Sequence, residues 1–461
     1  MKNIWHFFTG TLMLVSKGSK AYYGWVLVLL TLMAIGAAAY FQQMNEGLIV
    51  TNMRDQVSWG FYISNFTFLV GVAAAAVLLV IPAYVYHWKP IKEIAVLGEL
   101  LAVSAIVMCL LFVTADLGHP ERFWHLIPKI GRLNFPQSLL AWDVVVLNTY
   151  LILNLTIAVY ILYSLYYKRT PNKSFTTPLL LLSIPSAISI HTVTAFLYNG
   201  LGARPFWNSS ILVPRFLASA FCSGPAFMII IFFLVRKYTK FRIDDKAIQK
   251  VAELIAYAMF VNLLLLGAEL FKEYYTASAH LAPVQYLFQG LHGHSALVPW
   301  IWTAMVFNIT AFFLFLVPDT RRNNVTLMIA CILVFVGVYI EKGMGLVIPG
   351  FIPDVLHEIY EYSPTGVELL VSVGIWATGL FVFTMLLRVA IPILNGDFHV
   401  ADDGVGSYIG DQLFLVQQEP EDMAKRDDSF LLYFPSKHSL FLHQENTKQH
   451  LHPHLLQEKA Q

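Results

Sequence analysis

About ten long runs of hydrophobic residues, separated by short polar segments, extend along most of the chain. A helix crosses a bilayer core about 30 Å thick with about 20 apolar residues, so each run is long enough to span a membrane. We therefore predict an all-α integral membrane protein with about ten transmembrane helices, over residues 21–42, 59–86, 93–115, 138–167, 176–198, 213–235, 248–275, 296–317, 324–340 and 365–393.

The composition agrees with this prediction. Hydrophobic residues make up 57% of the chain and charged residues only 13%, whereas a soluble domain has about 25% charged residues. This excludes soluble multidomain enzymes, disordered proteins and secreted disulfide scaffolds. The net charge of +1 gives no sign of a nucleic-acid partner. Cys109, Cys222 and Cys331 lie in apolar runs and are expected to be buried rather than paired.

The distribution of Lys and Arg predicts the orientation of the chain. If the N-terminus is cytoplasmic, the inner segments hold about twice as many Lys and Arg residues as the outer loops. Cytoplasmic loops of membrane proteins carry such an excess. We therefore predict a multi-pass protein of the inner (cytoplasmic) membrane with both termini in the cytoplasm.

The two ends of the chain differ from the spans. Residues 1–20 are too short and too basic to cross the membrane, and we predict an interfacial amphipathic segment there. Residues 397–461 are polar and charged, which predicts a disordered cytoplasmic tail. The histidines at positions 450, 452 and 454 fit a solvated tail better than a metal site, so we predict no metal ion.

Two parts of the chain resemble each other. Residues 138–143, which lead to Asn148, are similar to residues 296–301, which lead to Asn308, and the flanking spans follow in the same order. Weak internal repeats are common in membrane transport folds. We therefore predict two four-helix bundles related by a repeat, and the alternative is chance similarity among apolar helices.

This interpretation divides the chain into five parts. They are an N-terminal segment with the first span (1–58), a first four-helix bundle (59–199), a second four-helix bundle (200–345), a last span (346–396) and the tail (397–461).

Few ionisable side chains lie in or beside the spans. Burying one at the membrane centre costs about 2.5–3.5 kcal/mol on insertion scales, so each is a candidate for function. By position, Asp116, His119, Asp143, His191 and Glu269 belong to the outer half of the membrane. A carboxylate and an imidazole beside an apolar cleft suit quinol oxidation, because one accepts a proton while the other holds the opposite oxygen.

Some of these residues have simpler explanations. A histidine on an apolar helix, such as His191, is often hydrogen-bonded to a neighbouring helix. Arg204 and Arg215 are explained equally well as residues that fix loops at the lipid head groups.

A proton path is a further hypothesis. Glu99 and Asp116 are 17 residues apart on one predicted helix, or about 25 Å at 1.5 Å per residue. With Ser104, and with water between them, they would form a half-channel from the cytoplasm to the outer quinone site. His191 and Glu269 are further candidates for this path.

Motifs that bind redox centres are absent from the sequence. It contains no Cys-x-x-Cys for an iron–sulfur cluster and no Cys-x-x-Cys-His for haem c. A bis-histidine haem needs paired histidines on facing helices, and only His191 lies well inside a span. We predict no protein-ligated redox centre, so a redox role would require a partner subunit to carry the electrons.

Several motifs resemble, in order, those of the NrfD family, the membrane subunits typified by polysulfide reductase. They lie at residues 59–63, 116–124, 138–143, 190–196 and 202–208. The resemblance covers about residues 20–395. It is to the longer, ten-span branch found in sulfur and sulfate respiration complexes and in alternative complex III.

The resemblance implies a subunit that exchanges electrons with menaquinone or ubiquinone and has no cofactor of its own. It also implies an extracytoplasmic, ferredoxin-like 4Fe–4S partner and further redox subunits, such as a multihaem cytochrome or a molybdopterin protein. The family's quinone pocket lies in the first bundle near the outer face. Carried onto this chain, its polar residues are His119 and Asp143, with Asp116 and Arg122 close by.

The leading hypothesis is therefore a quinone-interacting subunit of a respiratory complex, with coupled proton translocation as an extension of it. A secondary transporter and a haem-bearing membrane cytochrome are the alternatives. A transporter would take up substrate without a partner, and a haem protein would show a Soret band.

Overall fold

The computed structural model of the chain is a bundle of long helices, and it describes residues 2–86, 88–127, 129–278, 280–354, 356–401, 406–409 and 412–415. The helices are α1 (Lys2–Ser16), α2 (Lys20–Glu46), α3 (Phe61–Ala73), α4 (Ala75–Val80), α5 (Lys89–Lys92), α6 (Ala95–Asp116), α7 (Leu139–Tyr166), α8 (Lys173–Asn199), α9 (Leu212–Tyr238), α10 (Asp245–Thr276), α11 (Leu281–Phe288), α12 (Val298–Leu316), α13 (Pro318–Arg322), α14 (Asn324–Lys342), α15 (Met344–Val347) and α16 (Gly366–Asn395). Shorter helical turns are a π-helical turn over Ile81–Val85 and 3₁₀ turns over Leu48–Val50, Pro120–Leu126 and Pro349–Phe351.

Among the described residues, ten helical segments are long and apolar enough to cross a membrane. They are α2, α3 continued through α4, α6, α7, α8, α9, α10, α12, α14 continued through α15, and α16. This confirms the predicted fold class and number of spans. Successive spans alternate in direction, and we call the side at which α6 ends the Asp116 side.

Hydroxyl and amide side chains fix where several spans begin. Ser138 accepts a hydrogen bond from the Ala141 N–H at the start of α7, and Asn172 caps α8 in the same way. Thr365 and Glu368 form a reciprocal capping box at the start of α16. Such caps satisfy N–H groups that have no partner within the helix, and they set the register of the residues that follow.

The spans pack as two groups of four. Helices α3, α6, α7 and α8 pack around one another and form the first bundle, while α9, α10, α12 and α14 form the second bundle. The first and last spans, α2 and α16, pair with each other, and α16 also lies against α6. The bundles meet mainly where α9 contacts α3 and α8. The repeat that would relate the two bundles stays a prediction.

Small residues allow the bundles to approach closely. A Cβ atom at Gly224 of α9 would lie 2.6 Å from the Cβ of Ala75, and one at Gly71 of α3 would lie 3.4 Å from the Cα of Ala220. Without a hydrophobic driving force between helices in lipid, close van der Waals packing of small residues holds them together. The contact between the bundles therefore depends on these four positions.

The first and last spans meet in the same manner. A Cβ atom at Gly36 of α2 would lie 2.5 Å from the Cα of Gly374 in α16. Each glycine therefore leaves room for the backbone of the other helix, and a side chain at either position would push the two spans apart.

We expect Gly36→Leu to destabilise the protein by about 1–3 kcal/mol, because the added side chain overpacks the contact between α2 and α16. Thermal unfolding of the purified protein in detergent measures the effect. The control is Gly24→Leu on the same helix, since nothing lies within 4 Å of a Cβ atom at Gly24. Equal melting temperatures for the two variants would contradict the expected role of Gly36.

The ninth span is longer than predicted. Helix α14 ends at Lys342, the chain bends at Gly343, and the span continues through α15 to Phe351. The predicted end at residue 340 is therefore too early, and the boundary at residue 345 falls within this span. The predicted span ended too early because the charged residues at 341–342 and the glycines that follow them interrupt the hydrophobic run.

The N-terminal segment forms the amphipathic helix α1. Phe7 and Leu14 are buried, whereas Trp5, Phe8 and Leu12 are exposed. The Phe7 ring packs edge-on against Tyr163 and Tyr166 of α7. One apolar face of α1 therefore lies on the protein while the other remains exposed, which fits the predicted interfacial segment.

Part of the predicted disordered tail has regular structure. Strands β1 (Phe398–Val400), β2 (Gly406–Ile409) and β3 (Gln412–Leu415) form an antiparallel sheet in that order. The prediction of disorder from residue 397 onward is therefore wrong for this stretch. One physical reason is Phe398, which is buried with its ring 5.2 Å from that of Tyr166. The rest of the tail, with the histidines at 450, 452 and 454, lies outside the described residues.

Candidate functional site

Helix ends bring polar side chains together on the Asp116 side of the first bundle. Asp116 is the last residue of α6, Asp143 is the fifth residue of α7, and Thr194 lies five residues before the end of α8. At 1.5 Å per residue, all three lie within about 8 Å of the same end of the bundle along the helix axes. The predicted depth of Asp143, about one turn inside α7, agrees with this position.

Asp143 is held between two helices. Asp143 is only 2% exposed. Its Oδ1 atom accepts a hydrogen bond of 2.9 Å from the Thr194 hydroxyl. Thr194 also donates to the carbonyl oxygen of Ile190, 2.7 Å away. The carboxyl group is therefore oriented by α8 and surrounded mainly by apolar side chains. Thr194 was not among the predicted site residues, although it lies in the 190–196 motif.

Asp116 has an unsatisfied oxygen. Its Oδ1 atom is buried and has no hydrogen-bond partner among the described residues. Nearby, Gln43 donates to the Ala115 carbonyl at 2.7 Å and accepts from the Tyr62 hydroxyl at 2.6 Å. These bonds fix the end of α6 but leave the Asp116 oxygen free to accept a hydrogen bond from a ligand.

The segment after α6 places two predicted site residues on the surface. The His119 side chain is 68% exposed, and its Nδ1 atom lies 2.9 Å from Glu121 Oε1. The Arg122 side chain is 66% exposed, and its Nε atom lies 3.8 Å from the same oxygen. A hydrogen bond from its own backbone, together with His119 and Arg122, lowers the pKa of Glu121. Glu121 thus bonds to His119 and lies beside Arg122, and it was missed as a site residue.

The predicted group of four is therefore divided into two buried carboxyl groups and two exposed bases. In the described part of the chain, no hydrogen bond or ion pair joins His119 or Arg122 to Asp116 or Asp143. The cause is local: α6 ends at Asp116, Leu117 is extended, and the chain turns away into the Pro120–Leu126 segment. The bases lie beyond the helix end, while the acids lie within the bundle.

The candidate proton path is not continuous in the structure. Glu99 is buried, and both its carboxyl oxygens lack hydrogen-bond partners among the described residues. Ser104 donates to the Leu100 carbonyl of its own helix at 3.1 Å. Five residues correspond to about 140° around a helix, so Glu99 and Ser104 project from different faces of α6. The path through these residues stays a prediction.

His191 is buried in α8, but its hydrogen bond is not to a neighbouring helix. Its Nδ1 atom lies 3.0 Å from the Ala187 carbonyl oxygen of the same helix, so that alternative is wrong. Its Nε2 atom has no partner in the described structure, and His191 and Lys342 both line a small cavity. His191 therefore points toward the second bundle.

A buried ion-pair cluster lies in the second bundle. Arg215 of α9 donates to Glu269 of α10, and a second bond of 3.2 Å joins it to Glu341 of α14. Asn262 and Asn308 donate to the other oxygen of Glu341 at 3.4 Å and 3.0 Å. Arg215 therefore does not fix a loop at the head groups, as the sequence suggested, but connects three spans.

This cluster is neutral in formal charge. Arg215 and Lys342 provide two positive charges, while Glu269 and Glu341 provide two negative charges. All four residues are buried. Buried charges are tolerated when they are paired and hydrogen-bonded, as Arg215, Glu269 and Glu341 are, whereas the Lys342 ammonium has no hydrogen-bond partner among the described residues. Of the four, sequence reasoning found only Glu269, although the adjacent pair at 341–342 within an apolar run was a usable signal.

The fold and these two polar centres define a multi-pass helical membrane protein in which the ionisable groups of both centres lie toward one end of the two bundles, while the buried Glu99 lies near the other end of α6. A family model described as polysulphide reductase, NrfD, matches residues 49–352. The chain belongs to this family, as the sequence motifs predicted.

Named relatives extend over most of the chain. A protein of Halobacterium salinarum, provisionally named as a membrane subunit of dimethyl sulfoxide reductase, is 25% identical over 79% of this chain and 90% of its own length. A selenate reductase subunit of Mesobacillus selenatarsenatis is 24% identical over 78% of this chain and 92% of its own length. The Hdr-like menaquinol oxidoreductase integral membrane subunit of Archaeoglobus fulgidus is 23% identical over 80% of this chain and 93% of its own length.

Proposed function

We propose that the chain is the quinone-binding membrane subunit of a respiratory redox complex. In this function it exchanges electrons between menaquinone or ubiquinone and an extracytoplasmic iron–sulfur partner. Family membership supports the proposal, as do relatives named as reductase or menaquinol oxidoreductase subunits. The observation on which it rests is the placement of two acidic side chains, Asp116 and Asp143, at the same end of the first bundle.

The two carboxyl groups suit the chemistry of a quinone. Quinol oxidation releases two electrons and two protons, so the site needs groups that accept protons away from bulk water. Asp143 has an oxygen oriented by Thr194, and Asp116 has a buried oxygen that is free to accept a hydrogen bond. In this proposal His119, in the exposed segment after α6, would hold the oxygen at the other end of the ring.

The surface around His119 suits a partner subunit. The segment between α6 and α7 exposes the large apolar side chains of Phe123, Trp124, Ile130 and Phe135. Exposed apolar patches of this kind are typical of interaction sites. We assign this surface to the ferredoxin-like 4Fe–4S partner, which would pass electrons to further subunits such as a multihaem cytochrome or a molybdopterin protein.

The orientation follows from the same proposal. An even number of crossings returns the chain to the side on which it began, so the ten spans of the described residues leave the segment before α2 and the segment after α16 on one side. The excess of Lys and Arg in the predicted inner loops supports the proposal that this side is the cytoplasmic side of an inner membrane. The Asp116 side then faces the extracytoplasmic partner.

His119→Ala tests the position of the site. We expect the variant to raise the quinol concentration needed for half-maximal turnover about tenfold, the effect of losing one hydrogen bond of about 1.4 kcal/mol. The measurement is quinol oxidation by the assembled complex. His125→Ala is the control, because His125 lies in the same exposed segment. Equal kinetics for both variants and the natural protein would remove His119 from the site.

Two simple measurements separate this function from the alternatives. An absorption spectrum of the purified protein with a Soret band would favour the haem-bearing cytochrome. Substrate uptake by vesicles that contain the chain without partners would favour the transporter. We expect neither, and we expect quinol turnover only with the assembled complex. Proton translocation through Glu99, Ser104, His191 and Glu269 remains part of the proposal.

A further inference from the structure

Two nitrogen atoms without hydrogen-bond partners belong to residues that line one cavity between the bundles. They are Nε2 of His191, on α8 of the first bundle, and Nζ of Lys342, at the end of α14 in the second bundle. Both residues are buried, and no other described residue bonds to either atom. The cavity has a volume of about 10 Å³, which is near the lower limit for a single water molecule.

The hydrogen bonding of His191 fixes which of its nitrogens accepts. Its Nδ1 atom lies 3.0 Å from the Ala187 carbonyl oxygen, which can only accept, so the hydrogen of a neutral ring is on Nδ1. Nε2 therefore presents a lone pair to the cavity. Lys342 presents an ammonium group, which can only donate. A donor and an acceptor thus face the same space from opposite bundles.

The combination of a donor on Lys342 and an acceptor on His191 favours one kind of ligand in the cavity. An anion would be repelled by the lone pair of His191, and a metal cation would be repelled by the ammonium of Lys342. A water molecule can accept from Lys342 and donate to His191 at the same time. The remaining polar walls agree, because Ser219 and Ser223 donate to carbonyl oxygens of their own helix and keep lone pairs for further bonds.

The surroundings of Lys342 also favour a water molecule. The Nζ atom lies 4.6 Å from the centre of the Phe216 ring, which offers a cation–π contact but no hydrogen-bond acceptor. A buried ammonium without hydrogen bonds is strongly unfavourable. A water molecule in the cavity would supply the missing acceptor.

We propose that one ordered water bridges Lys342 Nζ to His191 Nε2 and forms a proton-transfer link between the two bundles. Lys342 gives a proton to the water as the water gives another to Nε2, which leaves a neutral amine and an imidazolium. The total charge is unchanged, and the reverse step restores both groups. No oxidant or further reactant is needed.

Each end of this bridge continues into a polar centre already described. His191 lies three residues before Thr194, on the same face of α8, and Thr194 donates to Asp143. Lys342 follows Glu341, which bonds to Arg215 and Asn308. The bridge would therefore connect the carboxyl groups of the first bundle with the ion-pair cluster of the second. Its role in catalysis rests on the proposed function, because the quinone reaction supplies the protons.

The first test is structural. A structure of the assembled complex at a resolution that shows ordered solvent should contain a water within hydrogen-bond distance of both nitrogens. The water should be lost in Lys342→Met, which keeps an apolar stem but removes the donor. A cavity without solvent density in the natural protein, or an unchanged water in the variant, would overturn the bridge.

The second test measures protons moved per electron in vesicles that contain the complex. We expect Lys342→Met and His191→Gln to lower this ratio by about half, since one of the two protons of each quinol would lose its route. Lys272→Met on α10 is the control, because that side chain is 54% exposed. An unchanged ratio in both cavity variants would overturn the proton link.

Folding and function can be separated in these tests. If Lys342→Met does not fold, His191→Gln decides the outcome, because glutamine keeps a polar group in the cavity. If the natural complex does not oxidise quinol, the proposed function fails. In that case the solvent density in the natural protein still decides whether the bridge exists.

Discussion

Asp143→Asn should lower quinol oxidation by the assembled complex by about 10²–10⁴-fold, the usual contribution of a positioned general base. Asparagine has nearly the same size and can still accept the hydrogen bond from Thr194, but it cannot take up a proton. Asp143 is buried, so bulk water does not reach its carboxyl group to take up the proton in its place. The loss should therefore appear in the turnover number.

The control for this variant lies on the same helix. The Asn148 side chain donates to the Val144 carbonyl of α7, 2.8 Å away, and it has no role in the proposed site. We expect Asn148→Ala to keep its turnover, and both variants should unfold at the temperature of the natural protein. Turnover by Asp143→Asn within about threefold of that protein would place the proton acceptor elsewhere.

Arg215→Met should destabilise the protein by about 3–5 kcal/mol, the usual effect of breaking a buried ion pair from one side. The variant leaves Glu269 and Glu341 without their shared cation, so the formal charge of the cluster changes from zero to −1. Equilibrium unfolding in a denaturant, with the purified protein in detergent, measures the loss. We expect Arg215→Met/Glu269→Gln, which returns the charge to zero, to recover part of it.

A surface ion pair provides the matched control. Arg236 bonds to Asp245 at the other end of α9, where the two side chains are partly or largely exposed. Exposed pairs of this type contribute about 0–1 kcal/mol, so Arg236→Met should have a small effect. An equal loss of stability in the two arginine variants would show that burial does not determine the role of Arg215.

The sequence was sufficient to predict the spans because their signal is local. Each of the ten hydrophobic runs contains its own evidence of length and polarity, and helical backbone satisfies its own hydrogen bonds in lipid. The depth of Asp143 could be predicted for the same reason, since Ser138 marks the start of its helix. The ninth span was shortened in the prediction because charges and glycines lie inside it, although Phe351 ends it in the structure.

Contacts between distant parts of the chain could not be predicted in this way. Arg215 and Glu341 are 126 residues apart, and nothing in either run identifies the other as its partner. The predicted association of His119 with Asp143 depended on the direction that the chain takes after Asp116, which spacing does not reveal. The strand at Phe398 follows a helix by only two residues and depends on packing against Tyr166 rather than on its own sequence.

The separation of Arg215 from Glu341 has a consequence for synthesis. A ribosome adds about 5–20 residues per second, so roughly 6 to 25 seconds pass between the two positions. During that interval α9 has entered the membrane with a cation whose final partner does not yet exist, and only Glu269 can shield it. A nascent chain that stops before α14 therefore holds a neutral Arg215–Glu269 pair, but one nitrogen of the Arg215 guanidinium still lacks its acceptor, Glu341.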